Sequence, residues 1–137
     1  MPAWLMPALV AFFCWGIWAF IPKLTTQYIN PSNALLFQAL GGLAVSLGIL
    51  LIWGFKPDLN SRGVSLALVT GFLGFLGSLA YMYALLRGPL SLVAIVTALY
   101  PVLTLLLAYL FLHETVTMTQ ACGIALGLIA IILMVFG

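Results

Sequence analysis

Charged residues are almost absent from this chain. Its 137 residues include four Lys or Arg and two Asp or Glu, together 4% of the sequence, whereas 66% are hydrophobic. Soluble domains carry about 25% charged residues, and disordered segments combine high charge with low hydrophobicity. Four cations also cannot neutralise the several phosphates that nucleic-acid binding involves. A soluble domain, a disordered chain and a nucleic-acid-binding protein are therefore excluded, and an integral membrane protein remains.

Residues that perform chemistry are equally scarce. The chain has one His and two Cys, and His113 lies beside Glu114 in a predicted turn rather than at metal-ligand spacing. We interpret Cys14 and Cys122 as small apolar packing residues. Neither a nucleophilic triad nor a phosphate-binding loop can be assembled from the remaining residues. We therefore expect no enzyme activity, no metal site and no cofactor.

The few charges divide the chain into uncharged stretches that are each long enough to cross a bilayer. About 20 apolar residues span a hydrocarbon layer of about 30 Å, and continuous apolar runs exclude the alternating pattern of barrel strands. The predicted fold class is an all-α integral membrane protein, a compact bundle of five transmembrane helices in a single domain over residues 1–137. The predicted spans are 4–22, 33–55, 64–86, 92–112 and 119–136. A cap cluster is predicted at the start of helix two, formed by Asn30, Pro31, Ser32 and Asn33, and another near the start of helix three, formed by Asn60 and Ser61. The run Arg87, Gly88, Pro89 is predicted to end the third helix.

Helix four combines polar side chains with a proline in its interior. Thr97, Tyr100 and Thr104 share one face at helical spacing, and Pro101 lies on the same face, where it removes a backbone hydrogen bond and predicts a kink. One interpretation makes this face the wall of a cavity. The alternative is that proline kinks and Thr hydroxyls bonded to their own helix are common in membrane helices.

Helix one has a second such face. Trp15 and Trp18 stand on one side of it, and Lys23 at its end either extends to the lipid headgroups or lies at the mouth of a cavity. Gln38 on helix two and Tyr81 on helix three are further polar side chains that are costly to expose to lipid. The candidate solute-binding residues are Trp15, Trp18, Lys23, Gln38, Tyr81, Thr97 and Tyr100, with Pro101 as a hinge.

Small residues recur on one side of helices three and five, where they allow another helix to approach closely. On helix three they are Gly71, Gly74, Gly77 and Ser78. We interpret this side mainly as packing within the chain. On helix five, Gly123 and Gly127 form a pair four residues apart that we interpret as a contact between subunits.

Several stretches together resemble a known family. They are the run from Trp15 to Lys23, Pro31 before helix two, the run Tyr83, Ala84, Leu85, and above all SLVAIVTALYPVLTLLLAYLFLHETVTMTQACGIALG. This pattern resembles the five-helix EamA-type unit of the drug/metabolite transporter superfamily. The resemblance implies a carrier of small organic metabolites in a bacterial inner membrane, with its substrate site in a central cavity. Pro101, Glu114, Gln120 and Gly123 match motif positions, and the pattern makes Glu114 a turn element rather than a catalytic acid.

The chain departs from that family in three respects. Many members carry two units in one chain, many have Arg at the position of Gln38, and the intramembrane carboxylate of the small multidrug exporters is missing here. We therefore expect a secondary transporter of an uncharged, zwitterionic or amphipathic organic solute, working by alternating access as an antiparallel homodimer in the lipid membrane. The alternative is a membrane subunit without transport of its own that pairs with a different membrane protein.

The balance of cations predicts the topology. Lys23 and Arg87 fall on one side of the five predicted helices, and Lys56 and Arg62 fall on the other. Because the Lys and Arg bias sets orientation, we expect the chain to insert in both orientations in comparable amounts. Reporter fusions at the C-terminus measure the two populations. A strict single orientation that stays unchanged when one Lys is added beside Gly137 would contradict this prediction.

Overall fold

A computed structural model describes residues 4–52, 54, 57 and 59–136. Most of these residues are helical, and no strand occurs among them, which confirms the all-helical fold class. The predicted end of the second span at position 55 and the topology residue Lys56 lie outside the described residues. The chain divides into two units, the first ending at Arg87 and the second beginning at Gly88. Each is described by itself, and the single domain stays a prediction.

The first unit contains three helices, α1 (Leu5–Thr25), α2 (Pro31–Ile52) and α3 (Ser61–Arg87). All three are long and apolar enough to cross a membrane. The predicted N-caps are confirmed. The Asn30 side-chain oxygen accepts the N–H of Asn33 at 2.9 Å, and that of Asn60 accepts the N–H of Gly63 at 3.1 Å. Each bond satisfies an N–H that has no partner within its own helix.

Helix boundaries in this unit differ from the prediction by up to three residues, and α3 begins at Ser61 rather than at position 64. Helix α1 continues to Thr25, three residues past the predicted end at Pro22. A proline removes its own N–H but keeps its carbonyl, and the Pro22 carbonyl accepts the N–H of Thr26 at 2.9 Å. Helix α2 begins at Pro31, two residues before the predicted start, because proline suits the first helical position, where its missing N–H has no helical partner.

The second unit contains α4 (Leu90–Thr97), α5 (Tyr100–Leu107), a π-helical stretch (Ala108–Leu112) and α6 (Met118–Phe136). The span predicted over 92–112 corresponds to Leu90–Leu112, which is long and apolar enough to cross a membrane, and the kink predicted from Pro101 is a turn at positions 98 and 99 between α4 and α5. Pro101 then lies in the first turn of α5. Its ring has no N–H to offer the Thr97 carbonyl, so the helical hydrogen-bond ladder is broken there.

The turn between the π-helical stretch and α6 is defined by its backbone and by a capping pair. His113 ends the π-helical stretch in the left-handed region, with φ of 53°. Thr117 and Gln120 then form a reciprocal capping box, with distances of 2.9 and 3.3 Å between backbone N–H and side-chain oxygen. The range Leu90–Leu112 taken together has spanning length, whereas the apolar part of α6, Met118–Met134, is shorter. Helix α6 fits a membrane bundle, and the number of membrane spans, five, stays a prediction.

Packing in the first unit is concentrated at one end. Helix α3 contacts both α1 and α2. The buried residues lie where α1 ends, α2 begins and α3 ends, which we call the packed end; they are Pro22, Pro31, Ala34, Ser78, Tyr81, Met82 and Leu85. Large apolar side chains along the rest of these helices, such as Phe12 and Phe72, are exposed. An exterior of this kind suits lipid as the surrounding solvent.

Two hydrogen bonds join α1 to α3 in opposite directions, and we call them the α1–α3 bond pair. The Tyr81 hydroxyl donates to the Ala19 carbonyl at 2.8 Å. One turn further along both helices, the Lys23 ammonium donates to the Leu85 carbonyl at 2.6 Å. In a continued helix that carbonyl would accept the N–H of residue 89, but Pro89 has none. Lys23 therefore satisfies an acceptor that the end of α3 creates.

Removing one bond of the pair should destabilise the first unit. We expect Tyr81→Phe to lower the free energy of unfolding by about 0.5 to 1.5 kcal/mol, because the Ala19 carbonyl loses a donor while the ring is kept. Unfolding by denaturant in detergent micelles measures the change. Tyr109→Phe is the matched control, since Tyr109 is exposed, and its stability should equal the wild type. Equal stabilities for both variants would contradict a stabilising role for the bond.

Candidate functional site

Two of the candidate aromatic residues lie together in the first unit. The Trp18 indole and the Tyr81 phenol ring stack with centroids 5.8 Å apart and planes 21° from parallel. Tyr81 is 7% exposed and its hydroxyl is bonded to Ala19, whereas Trp18 keeps 39% of its surface exposed. Tyr81 therefore packs against one face of the indole, and part of the Trp18 surface stays exposed.

The structure gives Lys23 a structural partner. Its ammonium is bonded to the Leu85 carbonyl at the C-terminal end of α3, where a cation is favoured by the helix dipole. The side chain is partly buried. It lies one helical turn beyond Trp18 and Ala19, toward the packed end. A cation is thus held next to the aromatic pair by the fold itself.

Gln38 contacts α3 rather than lipid. Its amide nitrogen donates to the Ser78 hydroxyl at 3.1 Å, and that hydroxyl donates to the Gly74 carbonyl at 2.9 Å. A second contact, between the Ser32 and Tyr83 hydroxyls at 3.4 Å, joins the same two helices nearer the packed end. The two contacts show that α2 and α3 run antiparallel.

Beyond the Gln38–Ser78 contact the first unit is open. Glycines continue both helices on the side away from the packed end, and a Cβ atom built on any of them meets nothing within 4 Å; they are Gly41, Gly42, Gly71, Gly74 and Gly77. The helix-three glycines that we expected to pack within the chain are therefore not in close contact there. The space immediately beside them is open.

Trp15 is not brought into this group. It is 62% exposed, and among the described residues it stacks on no other ring. It lies on the same side of α1 as Trp18, one turn further from the packed end. Of the five candidate residues in the first unit, the structure thus joins Trp18 to Tyr81 and leaves Trp15 as a separate exposed ring.

The hydroxyls of Thr97 and Thr104 in the second unit are bonded within the chain segment that carries them. The Thr97 hydroxyl donates to the carbonyls of Val93 and Ala94, at 2.9 and 3.0 Å. The Thr104 hydroxyl donates to the backbone carbonyl of Tyr100 at 3.2 Å. The Tyr100 side chain is exposed. The interruption at 98 and 99 separates Thr97 from Tyr100 and Thr104, so they do not share one continuous helical face. These bonds match the alternative interpretation of Thr bonded to its own helix.

A groove of about 430 Å³ lies in the second unit, at the turn before α6. Its lining includes Glu114, Gln120 and Gly123. Gln120 already bonds Thr117 in the capping box, and none of the candidate solute-binding residues lines the groove. Within the described chain, no group of His, Cys, Asp and Glu can hold a metal ion. The groove therefore belongs to the turn rather than to the candidate site.

Sequence reasoning named Ser78 only as a small residue and missed its hydrogen bonds. The spacing of four residues along α3 could have indicated that Ser78 lies on a buried face. Ser78, Tyr81, Met82 and Leu85 recur at i, i+3, i+4 and i+7, and all four are buried. This is the face that α3 packs against its neighbours. A serine on the buried face of a membrane helix needs partners, so the pattern could have identified Ser78 as a polar contact.

Comparisons with known proteins agree with this architecture. The model of the EamA-like transporter family matches residues 2–136. An uncharacterized protein of Methanocaldococcus jannaschii is 33% identical over 126 residues, which cover 92% of this chain and 90% of that protein. Uncharacterized transporters of Helicobacter pylori strains J99 and 26695 are 26% and 25% identical over 129 residues, 91% of this chain.

The lengths of these relatives differ. The chain spans nearly all of the Methanocaldococcus protein but only 42% of each Helicobacter transporter. No solved structure matches the chain. A family match over almost the whole sequence, together with helices of membrane-spanning length, establishes an integral membrane protein, and the chain belongs to the EamA-like transporter family.

Proposed function

We propose that the protein is a secondary transporter that moves organic metabolites or amphipathic solutes by alternating access, as an antiparallel homodimer of single units. The observation that carries this proposal is the family match over residues 2–136. The relatives named as transporters, from Helicobacter pylori, support the same role. Uptake by proteoliposomes, measured with a panel of radiolabelled organic solutes, tests it directly.

The need for a second unit follows from the length of this chain compared with the lengths of its Helicobacter relatives. The chain matches 42% of each Helicobacter transporter, so those proteins have room for a second unit of the same size. Transporters built from inverted repeats place the substrate between two oppositely oriented units. A second copy of this chain in the opposite orientation supplies the same arrangement, and the even distribution of Lys and Arg favours insertion in both orientations.

Helix α6 offers the contact for such a pair. Its half-buried residues are Ile124, Leu128 and Ile131, and α6 packs against α4 within the unit. Gly123 and Gly127 are exposed beside that packed face, and a Cβ atom built on either meets nothing within 4 Å. Small residues four apart allow close approach of a second helix in lipid.

The solute-binding surface of the first unit has Trp18 as its apolar wall. Tyr81 stacks on the indole, and Lys23 on α1 and Gln38 on α2 provide polar groups. Binding sites are mostly apolar with a few placed polar groups, which is the character of this surface. In the second unit, Thr97 and Tyr100 flank the interruption at 98 and 99, where Pro101 supplies the bending point for the conformational step.

Closing the glycine face of α6 should abolish pairing and transport together. We expect Gly127→Leu to reduce both cross-linked dimer and solute uptake by about tenfold or more, because the added side chain separates the helices. Ala125→Leu is the control, since it places a leucine on the opposite face of α6. Cross-linking in vesicles and uptake by proteoliposomes measure the two effects.

Several results would change the proposal. Unchanged cross-linking of Gly127→Leu would move the contact to another face, and cross-links that join only parallel copies would exclude the antiparallel pair. Co-purification of this chain with a different membrane protein, with no uptake by the chain alone, would favour a non-transporting subunit instead.

Water access tests the candidate site. In a variant with Cys14 and Cys122 replaced by Ala, we expect cysteines at positions 18, 97 and 100 to react with a membrane-impermeant thiol reagent, because the reagent needs water to form the thiolate. Asn60→Cys in the loop is the positive control, and Phe20→Cys, on the opposite side of α1 from Trp18, is the lipid-facing control. Mass spectrometry counts the labels. If all three sites stay unlabelled while position 60 reacts, the proposed cavity is not lined by these residues.

A further inference from the structure

We infer that the side-chain carbonyl of Gln38 accepts a hydrogen bond from an N–H group of the transported solute, and that Ser78 is the residue that positions it. This inference rests on the proposed transport function and adds the chemical class of the solute. It concerns α2 and α3 of the first unit alone. The class is an amphipathic compound with an apolar or aromatic body and a primary amine, ammonium or amide N–H.

The direction of two hydrogen bonds fixes the orientation of the Gln38 amide. The Ser78 hydroxyl has one hydrogen, and it is donated to the Gly74 carbonyl at 2.9 Å. The Ser78 oxygen can then only accept from Gln38, so the group that faces it at 3.1 Å must be the amide NH₂. An amide held through its nitrogen presents its oxygen on the other branch of the side chain.

That oxygen still needs a donor. Among the described residues, none donates a hydrogen bond to the Gln38 side-chain oxygen. Gln38 is seven residues beyond the first residue of α2, about 10 Å along the helix axis. Its side-chain oxygen is not enclosed by the described residues, so water or a solute can reach it. Water or a solute group with an N–H satisfies it.

Open space lies beside the Gln38–Ser78 contact. Gly41 and Gly42 follow Gln38 on α2, and Gly74 and Gly77 precede Ser78 on α3. Because the two helices are antiparallel, all four glycines lie on the side of the Gln38–Ser78 contact away from the packed end. A Cβ atom built on any of them meets nothing within 4 Å. The contact therefore forms the boundary between packed side chains and open space.

The charges of this unit make the recognition one of hydrogen bonding rather than ion pairing. Among residues 4–52, 54, 57 and 59–87 there is no Asp or Glu, so the described part of the unit offers a cationic solute no carboxylate. A carbonyl acceptor distinguishes a nitrogen that carries hydrogen from one that is fully methylated. The exposed indole of Trp18, which stacks on the buried Tyr81, provides a surface for the apolar part of the solute.

A matched pair of probes isolates the N–H group. 2-Phenylethylammonium and 2-phenylethyltrimethylammonium have the same ring, chain and charge, and only the first can donate a hydrogen bond. We expect the wild-type protein in nanodiscs to bind the first probe about tenfold more tightly, as one hydrogen bond to a charged group predicts. Isothermal titration calorimetry gives both affinities, and their ratio is the readout.

Three variants test which residues produce the difference in affinity between the two probes. Gln38→Met keeps the length of the side chain and should bring the ratio close to one. Ser78→Ala should lower it several-fold while leaving the trimethyl probe bound as in the wild type, because the amide is then free to rotate. Ser46→Ala is the matched control. The Ser46 hydroxyl makes the same local bond, to Gly42 at 3.0 Å, without a partner on another helix, and its ratio should not change.

The outcomes separate this inference from the proposed function. Equal binding of the two probes by the wild type, or a preference that survives Gln38→Met, overturns the inference, and uptake of either probe by proteoliposomes then leaves the transporter proposal standing. A preference lost in Gln38→Met but unchanged in Ser78→Ala overturns the positioning role alone. If Ser78→Ala does not fold, the Gln38→Met ratio decides. Neither binding nor uptake of any solute by the wild type overturns both proposals.

Discussion

The absence of water around the helices is the constraint on which the rest of this structure depends. In hydrocarbon, each backbone N–H and carbonyl must find a partner inside the protein. A helix does this everywhere except at its ends and at prolines. The end of α3 is such a place, since Pro89 cannot donate to the Leu85 carbonyl, and the Lys23 ammonium donates instead. A residue of α1 thus completes the hydrogen bonding of α3, and the need to satisfy one carbonyl holds two helices together.

The same constraint explains why the first unit is packed at one end and open at the other. The described bonds between its helices involve Lys23, Tyr81, Gln38 and the Ser32–Tyr83 hydroxyls, and all lie at or toward the packed end. Past the Gln38–Ser78 contact both helices carry glycines, which have no side chain to bond or to interdigitate. Helices joined at one end by directional bonds and separated elsewhere can change their spacing at the open end at low energetic cost. Under the proposed function, that freedom is what a solute needs in order to enter and leave.

Much of this architecture was predictable from the sequence, because the energy of burying a charge in lipid is large enough to mark the loops. The helices, the caps at Asn30 and Asn60 and the end of α3 follow from local chemistry. The interruption before Pro101 was predicted only as a kink, since the sequence does not say whether neighbouring turns absorb a lost hydrogen bond or break. The cross-helix partners of Gln38 and Lys23 were beyond prediction, because they depend on which faces of α1, α2 and α3 meet. The Trp18–Tyr81 stack depends on the same rotation of the helices.

In a transporter made of two identical units, one sequence determines both halves of the site. In a transporter whose two units are joined in a single chain, each half has a sequence of its own. In the Helicobacter relatives the part matched here is less than half of the protein, so the remainder is free to acquire other residues. In a pair of identical copies, each residue occurs twice, and a change to Gln38 or Trp18 alters both units at once. An antiparallel pair also presents the packed end with Lys23 and Arg87 at both membrane surfaces. Neither surface can then be specialised for uptake or release by mutation, so the direction of net transport must come from the gradient of the solute or of a coupled ion.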